Sequence, residues 1–230
     1  MKIAAPNMDM GYDRAITIFS PEGRLLQVEY AQKAVSSGAI SMGITCKDSV
    51  ILIANRRKVD TLLVADAVKK IFNIDKHVGV AAAGIMADAR ILVRIGREKA
   101  QQHMLTYGER IDVDSLVRHL ADLMQAYTQY GGTRPFGISL LFGGVDKKGP
   151  GLYVADPTGT YFQYKAFAVG DGAAAANTLL ATNYKPGMST EQGLKLAQSI
   201  LKKVLKREYS SEKIECVIVK RSGLKKEIIK

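Results

Sequence analysis

Cysteine is scarce in this chain, with two residues in 230, Cys46 and Cys216. They stand far apart in apolar, strand-like surroundings without a Cys-x-x-Cys pair, which argues against a disulfide framework and leaves buried, reduced thiols. Long hydrophobic runs are missing as well. No uninterrupted apolar stretch approaches the roughly 20 residues that cross a bilayer, although 47% of the residues are hydrophobic. The opening MKIAAPNMDMG has neither a charged region followed by an apolar core nor a cleavage pattern, so a cytoplasmic location and no membrane partner are expected. Ser/Gly-rich linkers, internal repeats and low-complexity blocks are absent too, and one domain is the simplest parse.

Sites for a cofactor are equally sparse. His77, His103 and His119 are not spaced i, i+3 or i+4, and no Cys or carboxylate cluster joins them, so they read as surface or core histidines and no metal is expected. Gly170-Asp171-Gly172-x-x-Ala175 matches the weak G-x-G-x-x-A dinucleotide pattern but lacks its βαβ context. Glu191 lies about the right distance downstream, yet in the first turn of a helix and not at the end of a parallel strand. A helix start packed closely on a strand accounts for the glycines, and no cofactor is expected.

Acidic residues are outnumbered, 22 against 33 Lys and Arg, giving a net charge of +11. That balance raises nucleic acid as a partner. The distribution weakens it: between Lys195 and Lys230 eleven Lys or Arg face four Glu, and most of those lysines lie opposite the apolar stripe Leu194, Ala197, Leu201 and Val204 of one helix. A solvated helix face explains them. No aromatics interleave with the basic residues, and zinc-finger, helix-turn-helix and RNP-like patterns are absent, so no nucleic-acid partner is expected.

What is present is concentrated at residues 11–35, GYDRAITIFSPEGRLLQVEYAQKAV. Ile16, Ile18 and Phe19 make a brief extended run; Ser20 can cap a helix, and Pro21 suits its first position. The spacing predicts a helix over about 21–34, with Leu25, Val28 and Gln32 on one stripe and Leu26, Tyr30 and Ala34 on another. One of these faces should meet another chain.

Strands are predicted at 40–46 and 50–55 around Lys47-Asp48-Ser49, and at 70–74 and 78–83 around Asp75-Lys76-His77. The period then changes from two to about 3.6 residues. Ile85, Ala89, Leu92, Val93, Gly96, Ala100 and Met104 mark a long helix, and Asp112 caps a second carrying Leu116, Leu120, Leu123, Met124 and Tyr127. Gly131-Gly132 and Pro135 break it, and strands follow at 138–145, 151–155 and 161–169. Helices are expected at 172–182 and 189–205, the latter opened by a Ser189-x-x-Gln192 capping box, before a last strand at 214–220. Two groups of antiparallel strands, each followed by a pair of helices, pack naturally as an α+β, four-layer αββα sandwich.

Tyr12-Asp13-Arg14, Phe19-Ser20-Pro21-Glu22-Gly23-Arg24-Leu25 and Gln27-Val28-Glu29-Tyr30-Ala31 together resemble the N-terminal signature of proteasome α-type subunits, of the archaeal kind. Gly43-Ile44, Arg90-Ile91-Leu92 and the run 127–137, YTQYGGTRPFG, extend the likeness over nearly the whole chain. The family shares the αββα architecture. The resemblance implies a non-catalytic subunit of a seven-membered ring that caps the proteasome β subunits of the 20S core and gates the entry of unfolded protein substrates. Catalytic relatives begin their first inner strand with a Thr, Ser or Cys nucleophile. Here Ala39 takes that place, and Asn55, followed by Arg56 and Arg57, stands where an acidic residue is kept.

Residues 1–11 then become a mobile gating tail, reaching at most about 36 Å when fully extended, ahead of one domain over 12–230. By resemblance, Tyr12, Asp13, Arg14, Pro21 and Tyr30 belong to the gate. Lys70, with Gly38, Leu25 and Val28, lines a pocket between neighbouring subunits for the C-terminal carboxylate of an activator such as an AAA+ ATPase. Tyr130, Gly131, Gly132, Thr133 and Arg134 form the loop that narrows the axial channel. An active N-terminal-nucleophile amidase with a hidden processing site, and a basic nucleic-acid-binding module, are the competing readings.

Overall fold

The computed structural model describes residues 16–56, 62–63 and 68–229. The expectations for Tyr12, Asp13, Arg14 and the tail 1–11 lie outside the described residues. Two five-stranded antiparallel sheets form the centre. The first contains β1 (Ser41–Thr45), β2 (Ser49–Asn55), β8 (Ala166–Val169), β9 (Ile214–Lys220) and β10 (Gly223–Glu227), in the order β10-β9-β2-β1-β8. The second runs β3 (Ile71–Asp75), β4 (Val78–Gly84), β5 (Ile138–Asp146), β6 (Gly149–Ala155) and β7 (Tyr161–Tyr164) in sequence order.

Three bodies of apolar side chains separate the four layers. Val50, Leu52, Leu141, Leu152 and Val219 fill the space between the sheets. Leu92, Leu116, Leu120 and Met124 of α2 (Met86–Tyr107) and α3 (Val113–Ala126) pack on Val80, Leu140 and Phe142. On the opposite outside, Ala176 and Leu180 of α4 (Ala173–Asn183) join Ala197, Ile200 and Leu201 of α5 (Thr190–Leu205) over Met42, Ile44 and Ile53. Strands buried on both faces lose the alternation of a half-exposed sheet: every residue of β2 is buried. The αββα sandwich expected from the pattern is the fold observed.

Both cysteines are buried and free, and burial pushes the Cys46 thiol up to about 11 and the Cys216 thiol to about 12. The capping box of α5 is formed in full, with Gln192 N donating to Ser189 Oγ at 3.2 Å and Ser189 N donating to Gln192 Oε1 at 2.9 Å.

Several local expectations are corrected. Residues 18–20 are irregular, so the run at Ile16, Ile18 and Phe19 is not a strand. Helix α1 spans Leu26–Ser36, not 21–34. Ser20 closes a turn instead of capping: Gly23 N donates to Ser20 O at 2.8 Å and Arg24 N to Ser20 Oγ at 3.2 Å, with Gly23 at φ 76°. Ser at the first position, Pro at the second and Gly at the fourth are the preferences of a β-turn, and the turn wins. Asp112 occupies the N-cap position of α3 without a side-chain capping bond, and the neighbouring Val113 N–H is taken by Asp146 Oδ2 at 3.1 Å. The strand expected over 161–169 is two, β7 and β8, which leave opposite sheets on either side of Lys165. A further strand, β10, follows the one expected to be last.

Candidate functional site

Helix α1 lies across the ends of β4 and β5. Its sequence places Leu26, Val28, Ala31 and Val35 inward. Leu26 therefore does not share an exposed stripe with Tyr30, which is 51% exposed and points away from the core. Val28 is also buried within the chain. Pro21 is exposed on the turn before the helix, and Arg24 forks onto Glu29 there, with Arg24 Nε donating to Glu29 Oε1 at 2.7 Å. That hydrogen bond holds the Glu29 carboxyl below its ordinary range, but both groups are solvated and the pair adds little stability.

Beyond α1 the chain turns through Gly38 into Ala39, Ile40 and the start of β1. Lys70, just ahead of β3, sits at this mouth and is 6% exposed. Its ammonium donates to Ala39 O, with Ile40 O 3.4 Å away. Asn55, at the end of β2, donates its backbone N–H to Ile40 O at 2.9 Å. Ser41 Oγ, the nearest hydroxyl along the first inner strand, is buried and donates to Ala82 O at 2.8 Å. The mouth thus holds a cation against backbone carbonyls and offers no side-chain nucleophile at residue 39.

The structure brings Lys70 to Ala39, beside Gly38, but does not bring all four expected pocket residues together in one chain. Leu25 and Val28 stand at the beginning of α1, while Gly38 follows its end. All eleven residues of α1, a length of about 16 Å, lie between Leu25 and Gly38, and the last eight of them between Val28 and Gly38.

The loop after α3 divides into an open tip and a fixed root. Tyr130 is 65% exposed, and a methyl group added at Gly131 or Gly132 would meet nothing within 4 Å. Gly132 adopts φ 82°, which favours glycine; Gly131 has no such backbone demand. Thr133 Oγ1 donates to Tyr130 O at 2.7 Å and closes the turn. Arg134, expected among the channel residues, is turned back instead. Its Nη1 and Nη2 donate to Asp88 Oδ2 and Oδ1, both at 2.7 Å.

Asp88 lies in the first turn of α2, almost fully buried, and also accepts the Gly137 N–H at 2.9 Å. Burial alone would push its carboxyl up; the Arg134 fork and the Gly137 N–H outweigh that and hold it below the ordinary range. Gly137 O in turn accepts from Ile85 N at 2.9 Å. The root is locked to the start of α2, and through close backbone contacts at Gly84 to Gly38: an added methyl at Gly38 would come 2.4 Å from Gly84 N, and one at Gly84 2.2 Å from Gly137 O.

The remaining candidates do not converge. His77 is buried with Nε2 2.8 Å from Ile111 O, and His103 stacks on Tyr107 at 4.6 Å. Among the described residues no cluster of three or more His, Cys, Asp or Glu is placed to hold a metal. Gly170 and Gly172 serve packing: added methyl groups would collide with Gly38 O at 2.7 Å and with a Val204 methyl at 2.5 Å. Among the described residues no helix is long and apolar enough to cross a membrane.

Comparison with known sequences decides what this arrangement belongs to. A family model described as "Proteasome subunit" matches residues 35–219, and a second, for the N-terminal signature of A-type proteasome subunits, matches residues 12–34. The chain belongs to the proteasome subunit family. The proteasome alpha subunit of Methanococcus maripaludis is 46% identical over 93% of this chain and 82% of the relative. The protein of the same description from Pyrococcus horikoshii is 47% identical over 91% of this chain and 80% of the relative. That of Methanopyrus kandleri is 43% identical over 94% and 87%. With the α-type signature in place, this proteasome subunit is a non-catalytic ring component of the 20S core that assembles with other proteasome subunits.

Sequence reasoning missed two residues here. Asp88 was legible only as one acid among the polar positions of a helix, since its partner Arg134 lies 46 residues away. Glu215 is a lone carboxylate inside the apolar strand Ile-Glu-Cys-Val-Ile-Val, a signal the sequence did carry.

Proposed function

We propose that this chain gates the entrance to the proteolytic chamber, with residues 1–11 as the gate and the turn at Pro21, together with Tyr12, Asp13, Arg14 and Tyr30, as its mounting. Exposed Pro21 and Tyr30 are available to neighbouring copies, and they support the reading. Tyr130 to Thr133 narrow the channel behind the gate. Arg134 serves as the anchor of that loop through Asp88, not as a channel-facing charge. The domain that carries them comprises 12–230, and the particle works in the cytoplasm on unfolded protein substrates.

Chemistry is left to the β subunits. Ala39 has no hydroxyl to attack an amide, and its nitrogen is tied into the peptide bond from Gly38, so it cannot act as the base that an N-terminal nucleophile requires. The amidase alternative needs a processed start at Thr, Ser or Cys, and Ser41 is committed to Ala82.

Lys70 carries the docking part of the proposal: a buried ammonium at the mouth, next to Gly38, is a receptor for a chain-end carboxylate. Leu25 of the adjoining copy supplies the apolar wall for the hydrophobic residue and Tyr of an activator's C-terminal tail, with Val28, buried within that copy, as the packing beneath it. Replacing Lys70 by Ala abolishes ATPase-stimulated peptide entry while the ring still assembles; stimulation equal to that of the unaltered particle would remove docking from the proposal.

A further inference from the structure

Glu215 lies near the start of β9, in the first sheet, opposite Ala54 of β2. It is 8% exposed, among residues that are otherwise almost entirely apolar. Its carboxylate does not face solvent but crosses to the second sheet. Oε2 accepts the backbone N–H of Lys70 at 2.8 Å and that of Ile71 at 3.3 Å. β3 begins at Ile71 and is an edge strand among the described residues, so the Ile71 N–H has no described neighbouring strand to meet. Glu215 supplies the acceptor in its place. The Lys70 carbonyl is held from the other side by Ala82 N at 3.1 Å.

We propose that Glu215 is a positioning residue for Lys70 and that it sets the charge an incoming carboxylate meets. The proposal rests on the docking reading of Lys70 above. Two opposite charges are buried at one mouth, and they are held by different bonds: the ammonium by the Ala39 and Ile40 carbonyls, the carboxylate by the Lys70 and Ile71 amides. Burying a lone ammonium among apolar strands is strongly unfavourable, and a nearby carboxylate offsets that penalty. The same carboxylate repels an anionic ligand. A docked tail is therefore bound through Lys70 against a standing negative charge, which keeps attachment reversible and makes it sensitive to the loss of that charge.

Glu215→Gln separates the two roles, because the amide oxygen still accepts the two N–H groups while the charge is gone. The measurement is fluorescence anisotropy on the assembled α–β particle. The probe is a short labelled peptide ending in hydrophobic-Tyr-Ala with a free carboxylate, compared with the same peptide amidated. Glu215→Gln tightens binding of the free-acid peptide at least about threefold, from the Coulomb penalty removed, and leaves the amidated peptide unchanged. Glu215→Ala binds the free acid more weakly than Glu215→Gln, since the Lys70 and Ile71 amides lose their acceptor. Equal binding by Glu215→Gln and the unaltered particle, with Lys70→Ala abolishing binding, overturns the role of Glu215 alone. Unchanged binding by Lys70→Ala overturns the docking reading and this inference with it.

Discussion

Two parts of this molecule, the mouth at Lys70 and the loop after α3, are held in opposite ways. The mouth at Lys70 is fixed from within: its backbone, its ammonium and the carboxylate behind it all bond to the chain's own strands. The loop tip at residues 130–133 has open space around its two glycines and bonds only locally, through Thr133 Oγ1, while its root is tied to the start of α2 through Arg134 and Asp88. On the proposed roles, a receptor for a foreign chain end uses a preset geometry, and a channel loop uses a fixed base and a slender tip.

The root is the most consequential place to break that contrast. Arg134→Ala leaves a buried carboxylate with only the Gly137 N–H, and should lower stability by about 3 kcal/mol, read as a shifted urea midpoint with an unchanged slope. A loss below about 1 kcal/mol would mean that the half-exposed guanidinium holds the loop only weakly. The effect has a definite pH dependence. The folded Asp88 carboxyl is held below its ordinary value, so its contribution is fully present above an unfolded value of about 3.9 and is lost as pH falls through the lowered folded value. The gap between Arg134→Ala and the unaltered chain should therefore close in acid and not in base.

Capping comes next in size. Ser189→Ala removes the hydroxyl half of a formed capping box, the acceptor of the Gln192 N–H, and should destabilise the chain by about 1 kcal/mol. Asp112→Ala, at an N-cap position with no capping bond, should stay within about 0.5 kcal/mol. Equal losses at the two sites in thermal melts would contradict the bonding seen at α3 and α5.

The smallest effects sharpen the picture of the tip. Gly132→Ala forces a side chain into a left-handed backbone and should destabilise by about 1 kcal/mol. Gly131→Ala meets neither strain nor a neighbour and should be neutral to about 0.5 kcal/mol in the isolated chain. If Gly131→Ala nevertheless slows peptide entry into the assembled particle, the small size of that residue serves the ring and not the fold.

Most of the architecture could be read from periodicity alone, because each layer advertises its own repeat. Residues 49–55 are apolar throughout and lie between two packed layers, while Leu116, Leu120 and Met124 recur at helical spacing and face one sheet. The capping box at Ser189 is local chemistry and was legible for that reason. The break at Lys165 was not: nothing in the run 161–169 interrupts a strand, and only the pairing of Tyr161 with Ala155 and of Ala166 with Ile44 divides it between two sheets. β10 was hidden for a related reason, since Gly223–Glu227 carries two lysines and a glutamate, as suits an edge strand.

At the candidate site, identity was easier to read than contact. Lys70 could be singled out by resemblance, but its bond to the Ala39 carbonyl could not, the inward turn of Arg134 depends on an acid 46 residues earlier, and the hold on Lys70 depends on one 145 residues later. Helix α1 began late because Ser20-Pro21-Glu22-Gly23 satisfies a turn as readily as a helix start, and the hydrogen bond from Gly23 to Ser20 chose the turn.

Native mass spectrometry of the purified full-length chain tests the central claim most directly. A non-catalytic ring subunit should appear as a closed assembly, as heterologous contacts that close require, of about seven chains by the likeness to proteasome α subunits, each retaining the segment ahead of Ala39. A monomer at every concentration, with or without β subunits, or a shortened chain beginning at a Thr, Ser or Cys, would contradict it.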